Sequence, residues 1–180
     1  MIQCQYHLII KPFHFKYFLA TYLEHINQAN KNLSFLDQIN FNIDDCWDWQ
    51  VTVCFYVSVH LVNAHIADKT DQHYRSHEQV KEALNPYNVL SASKLSEDVY
   101  KAFDKLQNLS RRSRYLCNDN IVDKNPKGFF TYDKHLCKAL KQLDILLQFV
   151  NQHYCEEFKK LYVNCIEIKN ANLKYFEFRT

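Results

Sequence analysis

The stretch that decides the fold is Val51-Thr-Val-Cys-Phe-Tyr-Val-Ser-Val-His-Leu-Val-Asn-Ala-His-Ile-Ala67. Its side chains are apolar on nearly every side of a helix, a pattern typical of an element that is packed on several sides. It falls short of the ~20 apolar residues that a membrane span needs, because His60, Asn63 and His65 interrupt it. We therefore predict a buried central helix over roughly 45–68, in a protein that does not enter the membrane.

Helical periodicity continues on both sides of this stretch. The predicted helices run over 16–39, from the Ser76 capping box to Asn85-Pro86, from Ser96 to about Cys117, and from Asp133 to about Lys160. Residues 6–18 have a strand-like opening, and Cys165–Ile168 and Tyr175–Phe178 alternate as in a weak hairpin. The fold class is therefore all-α: one domain over 1–180, an up-and-down bundle of four or five helices with its core at about 16–160, and a tail or hairpin over 161–180.

Composition excludes several classes of site. The 180 residues include one glycine and three prolines, whereas phosphate-cradling loops need several glycines to let the backbone approach the phosphate. We expect asparagine to take the left-handed helix ends instead, and we expect no cofactor. The formal net charge of +2 is far below that of a protein that coats nucleic acid. Seven scattered cysteines without a Cys-x-x-Cys pair indicate free thiols in a reducing, cytoplasmic compartment.

Polar residues form one stripe on the central helix and a second stripe on the fourth helix. The first consists of Thr52, Tyr56, His60 and Asn63, and the second of Gln107, Ser110, Arg111 and Arg114. Buried polar groups need partners, so the sequence predicts a polar pocket between the two helices, with arginines suited to a phosphate. The structural alternative is a hydrogen-bond network that fixes the bundle register, with the arginines complementing the helix C-terminal dipole.

The sequence spacings give little support for a metal site or for a catalytic nucleophile. His73 and His77 have the four-residue spacing of a helical metal pair, but the Ser76 cap places His73 before the helix, so we predict no metal site. Any of the seven cysteines could pair with any of the nine histidines, and no spacing favours one nucleophile.

A set of dispersed positions forms a recognisable pattern: Asp48-Trp49, Phe55-Tyr56, His60, Ser76-His77 and Leu106-x-x-Leu109-Ser110-Arg111-x-x-Arg114-Tyr115, with His25, Asn32 and Phe35-Leu36 in the opening helix. At these positions the chain resembles uncharacterised bacterial members of the HEPN superfamily. The resemblance implies a helical bundle, a homodimer and a role in RNA or nucleotide handling. It also implies a toxin–antitoxin or phage-defence setting, with a protein partner from a neighbouring gene.

The chain departs from the ribonuclease members of that superfamily, which carry an Arg and a His a few residues apart on one late helix. No histidine follows Arg111, Arg112 or Arg114 at that spacing. The sequence therefore favours a non-catalytic RNA- or nucleotide-binding or regulatory module. The alternatives are a divergent metal-independent ribonuclease and a purely structural dimerisation scaffold. The candidate catalytic residues are His60 and Arg111, and the candidate ligand-binding residues are Tyr56, Arg114 and His77.

Overall fold

The computed structural model describes residues 20–74, 76–116 and 130–180. These described residues are 66% helical and form five α-helices and one small two-stranded sheet. The elements are α1 (Tyr22–Asn42), α2 (Trp47–Thr70), α3 (His77–Leu84), α4 (Glu97–Tyr115), α5 (Asp133–Tyr154), β1 (Leu161–Val163), a 3₁₀ turn (Ile166–Ile168) and β2 (Phe176–Phe178). The all-α prediction is confirmed, while the strand-like opening and the loop that holds Gly128 lie outside the described residues.

Helix α2 is the centre of the bundle. It contacts α1, α3, α4 and α5, and fifteen of its 24 residues are buried. By length and composition α2 could cross a membrane, but 83% of its most apolar window is buried inside the protein, as in the core helix of a soluble protein. The apolar surface that the sequence places all round this helix is thus covered by neighbouring helices.

Helix ends agree with the sequence at some positions and differ at others. Ser76 caps α3 by accepting a hydrogen bond from the Gln79 backbone N–H, as predicted. The N-cap of α5 is Tyr132 rather than Asp133, and the Nδ1 of His135 accepts from the Tyr132 N–H at 2.9 Å. Here histidine takes the part that Glu or Gln plays in a capping box.

The left-handed helix ends do not use asparagine, which corrects the expectation from composition. Within the described ranges, the residues with positive φ are Asp45, Asp71, Leu116 and Cys155, and the last three are the C-caps of α2, α4 and α5. The Cβ of a residue other than glycine makes this conformation cost about 1–2 kcal/mol. The local preference for Gly or Asn is therefore not followed at these three helix ends.

The predicted C-terminal hairpin is wrong in both pairing and register. Strands β1 and β2 run parallel, with Leu161 opposite Phe176 and Val163 opposite Phe178, whereas Cys165–Ile168 contributes the 3₁₀ turn. Parallel strands need a crossover rather than a tight turn, and residues 164–175 supply it. Buried Tyr175 and Phe176 join the same hydrophobic cluster as the helices, so the tail completes the core.

Candidate functional site

The predicted polar pocket between α2 and α4 does not form from the whole α2 stripe. Thr52 donates to the Asp48 carbonyl at 2.8 Å and Asn63 donates to the Val59 carbonyl at 2.8 Å, both within α2. Ser, Thr and Asn side chains inside helices commonly bond backward in this way. Thr52 and the Asn63 amide N–H group therefore find their partners in their own helix. The other two members of the stripe, Tyr56 and His60, have different surroundings.

His60 belongs to a chain of three histidines. Its Nδ1 lies 3.2 Å from the Nδ1 of His25 on α1, and the Nε2 of His25 lies 3.3 Å from the Nδ1 of His73. The ring centroids are 5.5 Å and 5.2 Å apart, much farther than the nitrogens, so the rings point nitrogen to nitrogen. His25 thus uses both ring nitrogens, one toward each neighbour.

Burial disfavours the protonated forms of two rings in this histidine chain, those of His25 and His60. It lowers the pKa of His25 to about 4, and the nearby His60 and His73 lower that pKa further because like charges repel. Burial also lowers the pKa of His60, with His73 adding to the effect. Neutral imidazoles have one donor and one acceptor nitrogen, so each N···N contact contains one shared proton.

The three rings do not form a metal centre. His25 presents opposite nitrogens to its two partners, so the three donors do not converge on one point. Across the parts of the chain that the structure describes, no group of three or more His, Cys, Asp or Glu side chains is arranged to hold a metal ion. His73 contacts His25, whereas the His77 ring lies 5.3 Å from Phe55, so these two histidines have separate surroundings.

His77 and Tyr56 both lie against one buried aromatic ring, that of Phe55. Phe55 is fully buried, and its ring centroid lies 5.3 Å from that of His77 and 5.7 Å from that of Tyr56. Burial lowers the pKa of His77, and the Arg114 guanidinium lowers it further. Tyr56 remains 41% exposed. The accessible Tyr56 ring and the His77 ring thus lie on the same buried phenylalanine, and His77 lies within the electrostatic field of Arg114.

Arg114 is oriented by its own helix. Its Nε donates to the Ser110 carbonyl at 3.4 Å, and its guanidinium carbon lies 5.3 Å from the ring centroid of exposed Tyr115. A guanidinium beside an aromatic face is held by a cation–π interaction.

Arg111 lies one turn earlier on α4 and lines a groove of about 730 Å³ between α3 and α4. The groove is lined by two acids (Glu78, Glu82), two bases (Lys81, Arg111), three amides (Gln79, Gln107, Asn108) and Tyr100. Lys81 is paired with Asp104 at 2.5 Å. We call Tyr56, His77, Arg111 and Arg114 the arginine face. The structure thus brings His77 and Arg114 together, while His60 contacts α1 and Arg111 lines the groove.

His65, a third polar residue of the central stretch, is a structural residue. Its Nε2 lies 3.0 Å from the Ser93 carbonyl, which can only accept, so this nitrogen carries the proton. Its Nδ1 then accepts from the Tyr154 hydroxyl at 2.6 Å. Both ring nitrogens are occupied, and burial lowers the pKa of His65 to about 4.

Among the described cysteines, buried Cys54 and Cys165 are unsuited to act as nucleophiles. Cys46, Cys54, Cys137, Cys155 and Cys165, the cysteines within the described ranges, are all free. Burial raises the pKa of Cys165 to about 12 and raises that of Cys54 far above its ordinary value. A buried thiol that stays protonated is unreactive.

Sequence reasoning missed the histidine chain. His25 lies at the start of the helical stripe that continues with Ile26, Ala29 and Leu33, and His73 lies in a connection between helices. No sequence spacing therefore links either histidine to His60. Only the packing of α1 on α2 makes them neighbours. Comparisons with protein-family models, curated proteins and solved structures find no match for this chain.

Proposed function

We propose that this protein is an HEPN-like RNA- or nucleotide-binding or regulatory module that holds its ligand on the arginine face. The observation that carries the proposal is that His77 lies within the electrostatic field of Arg114, while its ring and the exposed Tyr56 ring both lie against buried Phe55. The positive charge of Arg114 favours an anion beside it, and a bound phosphate would raise the pKa of His77 again, which favours a second positive charge on the His77 ring. Arginine additionally offers two parallel N–H donors to phosphate oxygens.

The exposed aromatic rings and the groove suit the rest of a nucleotide. Tyr56 and Tyr115 are accessible, and bases of single-stranded nucleic acid stack on such rings whatever their sequence. The groove has the size of a small-ligand site, and its amides Gln79, Gln107 and Asn108 offer both donors and acceptors. Glu78 and Glu82 also line it, so we assign the base and sugar to the groove and the phosphate to the end near His77 and Arg114.

Binding without cleavage fits the surroundings of His60 better than catalysis does. A general base needs a nitrogen within reach of the substrate proton, and the Nδ1 of His60 is engaged by His25. Arg111, its proposed catalytic partner, instead lines the α3–α4 groove. We therefore reserve the divergent-ribonuclease function for the case in which wild-type protein cleaves RNA and His60→Ala protein does not.

The proposal includes a cytoplasmic homodimer. The free thiols of the described cysteines fit a reducing compartment. Large side chains such as Phe41 and Trp49 are well exposed, and exposed aromatics favour protein interfaces. We further propose that the dimer belongs to a toxin–antitoxin or phage-defence system, with a protein partner from a neighbouring gene.

The test is fluorescence anisotropy with a labelled single-stranded RNA and with a labelled nucleotide, at low and at moderate salt. Arg111→Ala and Arg114→Ala should each weaken binding on every sequence and reduce the slope of log K against log salt by about 1. Lys105→Ala is the matched control, because it removes an exposed cation from a different side of the same helix. Equal losses in the control, or no binding by wild-type protein at millimolar ligand and low salt, would contradict the proposal.

A further inference from the structure

The connection between α2 and α3 is fastened to the bundle by the histidine chain His60–His25–His73. The first anchor, His60, belongs to α2, and the second, His25, to α1 and is only 4% exposed. His73 lies in the connection, three residues after the end of α2 and four before His77, the first residue of α3. Its Nδ1 contact with His25 therefore ties this segment to two helices at once.

The three histidines respond to acid in steps that depend on how many ring protons they carry. Each of its two N···N contacts needs one proton. The three neutral histidines have three ring N–H protons. Two of these protons fill the two N···N contacts, and the third lies on one of the two outer nitrogens, the Nε2 of His60 or the Nε2 of His73. A first added proton fills the other outer Nε2 and leaves both contacts intact. A second added proton puts two N–H groups opposite each other in one contact, so that contact must open.

The charged surroundings provide little compensation for those protons. The groups that act on His25 are Glu24 on its own helix, His60 on α2 and His73 in the connection. Two of the three are cationic when protonated. The third, Glu24, is held by the cap of α1, where its Oε2 accepts from the Thr21 N–H at 2.7 Å. A doubly protonated chain is therefore repelled internally while its nearest carboxylate is engaged elsewhere.

We propose that the three histidines form a proton-operated latch that holds the α2–α3 connection at neutral pH and releases it on acidification. Opening is favoured about tenfold per pH unit for each proton that the open form binds beyond the closed form. The chain binds a first proton while closed, so release requires further acidification and is steep. Release would also free the start of α3, and its effect on ligand binding through His77 rests on the proposed function.

The latch can be tested without ligand, by ¹⁵N NMR on the full chain with EDTA present. At pH 7.5 we expect N–N coupling across the His60–His25 and His25–His73 contacts, and a rigid backbone at Gln72 and Tyr74 by heteronuclear NOE. Below the pKa of about 4 that His25 has in the closed form, we expect the coupling to His73 to vanish and the NOE at these two residues to fall, while α5 stays rigid. An unchanged NOE while the rings titrate, or simultaneous loss of order in α5, would overturn the proposal.

Two variants separate the latch from general acid sensitivity. His25→Phe keeps a ring in place but removes both contacts, so Gln72 and Tyr74 should be equally mobile at both pH values. His153→Ala removes an exposed histidine at the end of α5 and should behave like wild type. If His25→Phe retains the wild-type pH response, the latch is wrong. Because no RNA is present, this failure is distinct from failure of the anisotropy test.

Discussion

Replacing Asp144 with alanine measures how strongly one buried carboxylate holds the C-terminal tail on α5. Asp144 is 2% exposed. Its Oδ1 accepts from the Tyr175 backbone N–H at 2.8 Å, and its Oδ2 accepts from the Lys174 N–H at 3.3 Å. Oδ2 also accepts from the Gln148 side chain at 2.5 Å. The carboxylate therefore satisfies two backbone donors in the two residues that precede β2.

The loss of stability in Asp144→Ala depends on the two backbone N–H donors that the substitution leaves without a partner. The bond from Tyr175 is buried and the one from Lys174 is partly buried, so water can reach the second donor more easily than the first. A buried donor without a partner costs about 1–3 kcal/mol, and removing the carboxylate relieves part of its own burial cost. We expect Asp144→Ala to lower the free energy of unfolding by about 2–3 kcal/mol.

Urea unfolding measures the total effect, and amide hydrogen exchange at Tyr175 locates it. Gln148→Ala is the control: it removes one donor to the same carboxylate, leaves both tail bonds in place and should cost less than about 1 kcal/mol. A loss below about 1 kcal/mol for Asp144→Ala, with Tyr175 still protected from exchange, would refute the reasoning.

Four further expectations follow. Phe55→Ala should cost about 3–5 kcal/mol, because the ring is fully buried against Phe103; thermal or urea unfolding showing less than about 1 kcal/mol would count against the central position of α2. Cys155→Gly should stabilise the fold by about 0.5–1 kcal/mol in the same assay, because glycine accepts the φ of 56° without the Cβ penalty. The pKa of His65 is about 4 when folded and near 6.5 when unfolded, so its stabilisation is complete above pH 6.5 and is lost as the pH falls toward 4; His65→Gln should lose less stability than wild type between pH 7.5 and 5. Light scattering should give twice the 21.6 kDa chain mass, and a monomer mass at tens of micromolar would exclude the dimer.

The sequence alone determined the elements that depend on local patterns. The apolar surface of residues 51–67 required a helix covered on several sides, and Ser76 and Pro86 set the two ends of a short helix; both features are present. Periodicity and capping act within a few residues, so they can be read from one sequence. Sequence patterns likewise predict the candidate site residues Tyr56, His77, Arg111 and Arg114, and their role as a site stays a prediction.

Tertiary structure alone decided which distant residues meet. The His60–His25–His73 chain joins residues 35 and 48 positions apart, and Asp144 binds the tail 30 and 31 residues later. Strands β1 and β2 pair in parallel, whereas the alternating residues of the tail had predicted a hairpin. Alternation determines which side chains share a face of a strand, but it does not determine which strand lies alongside or in which direction that strand runs. Long-range partners are selected by the burial of the whole core, and that selection leaves no local signal in the sequence.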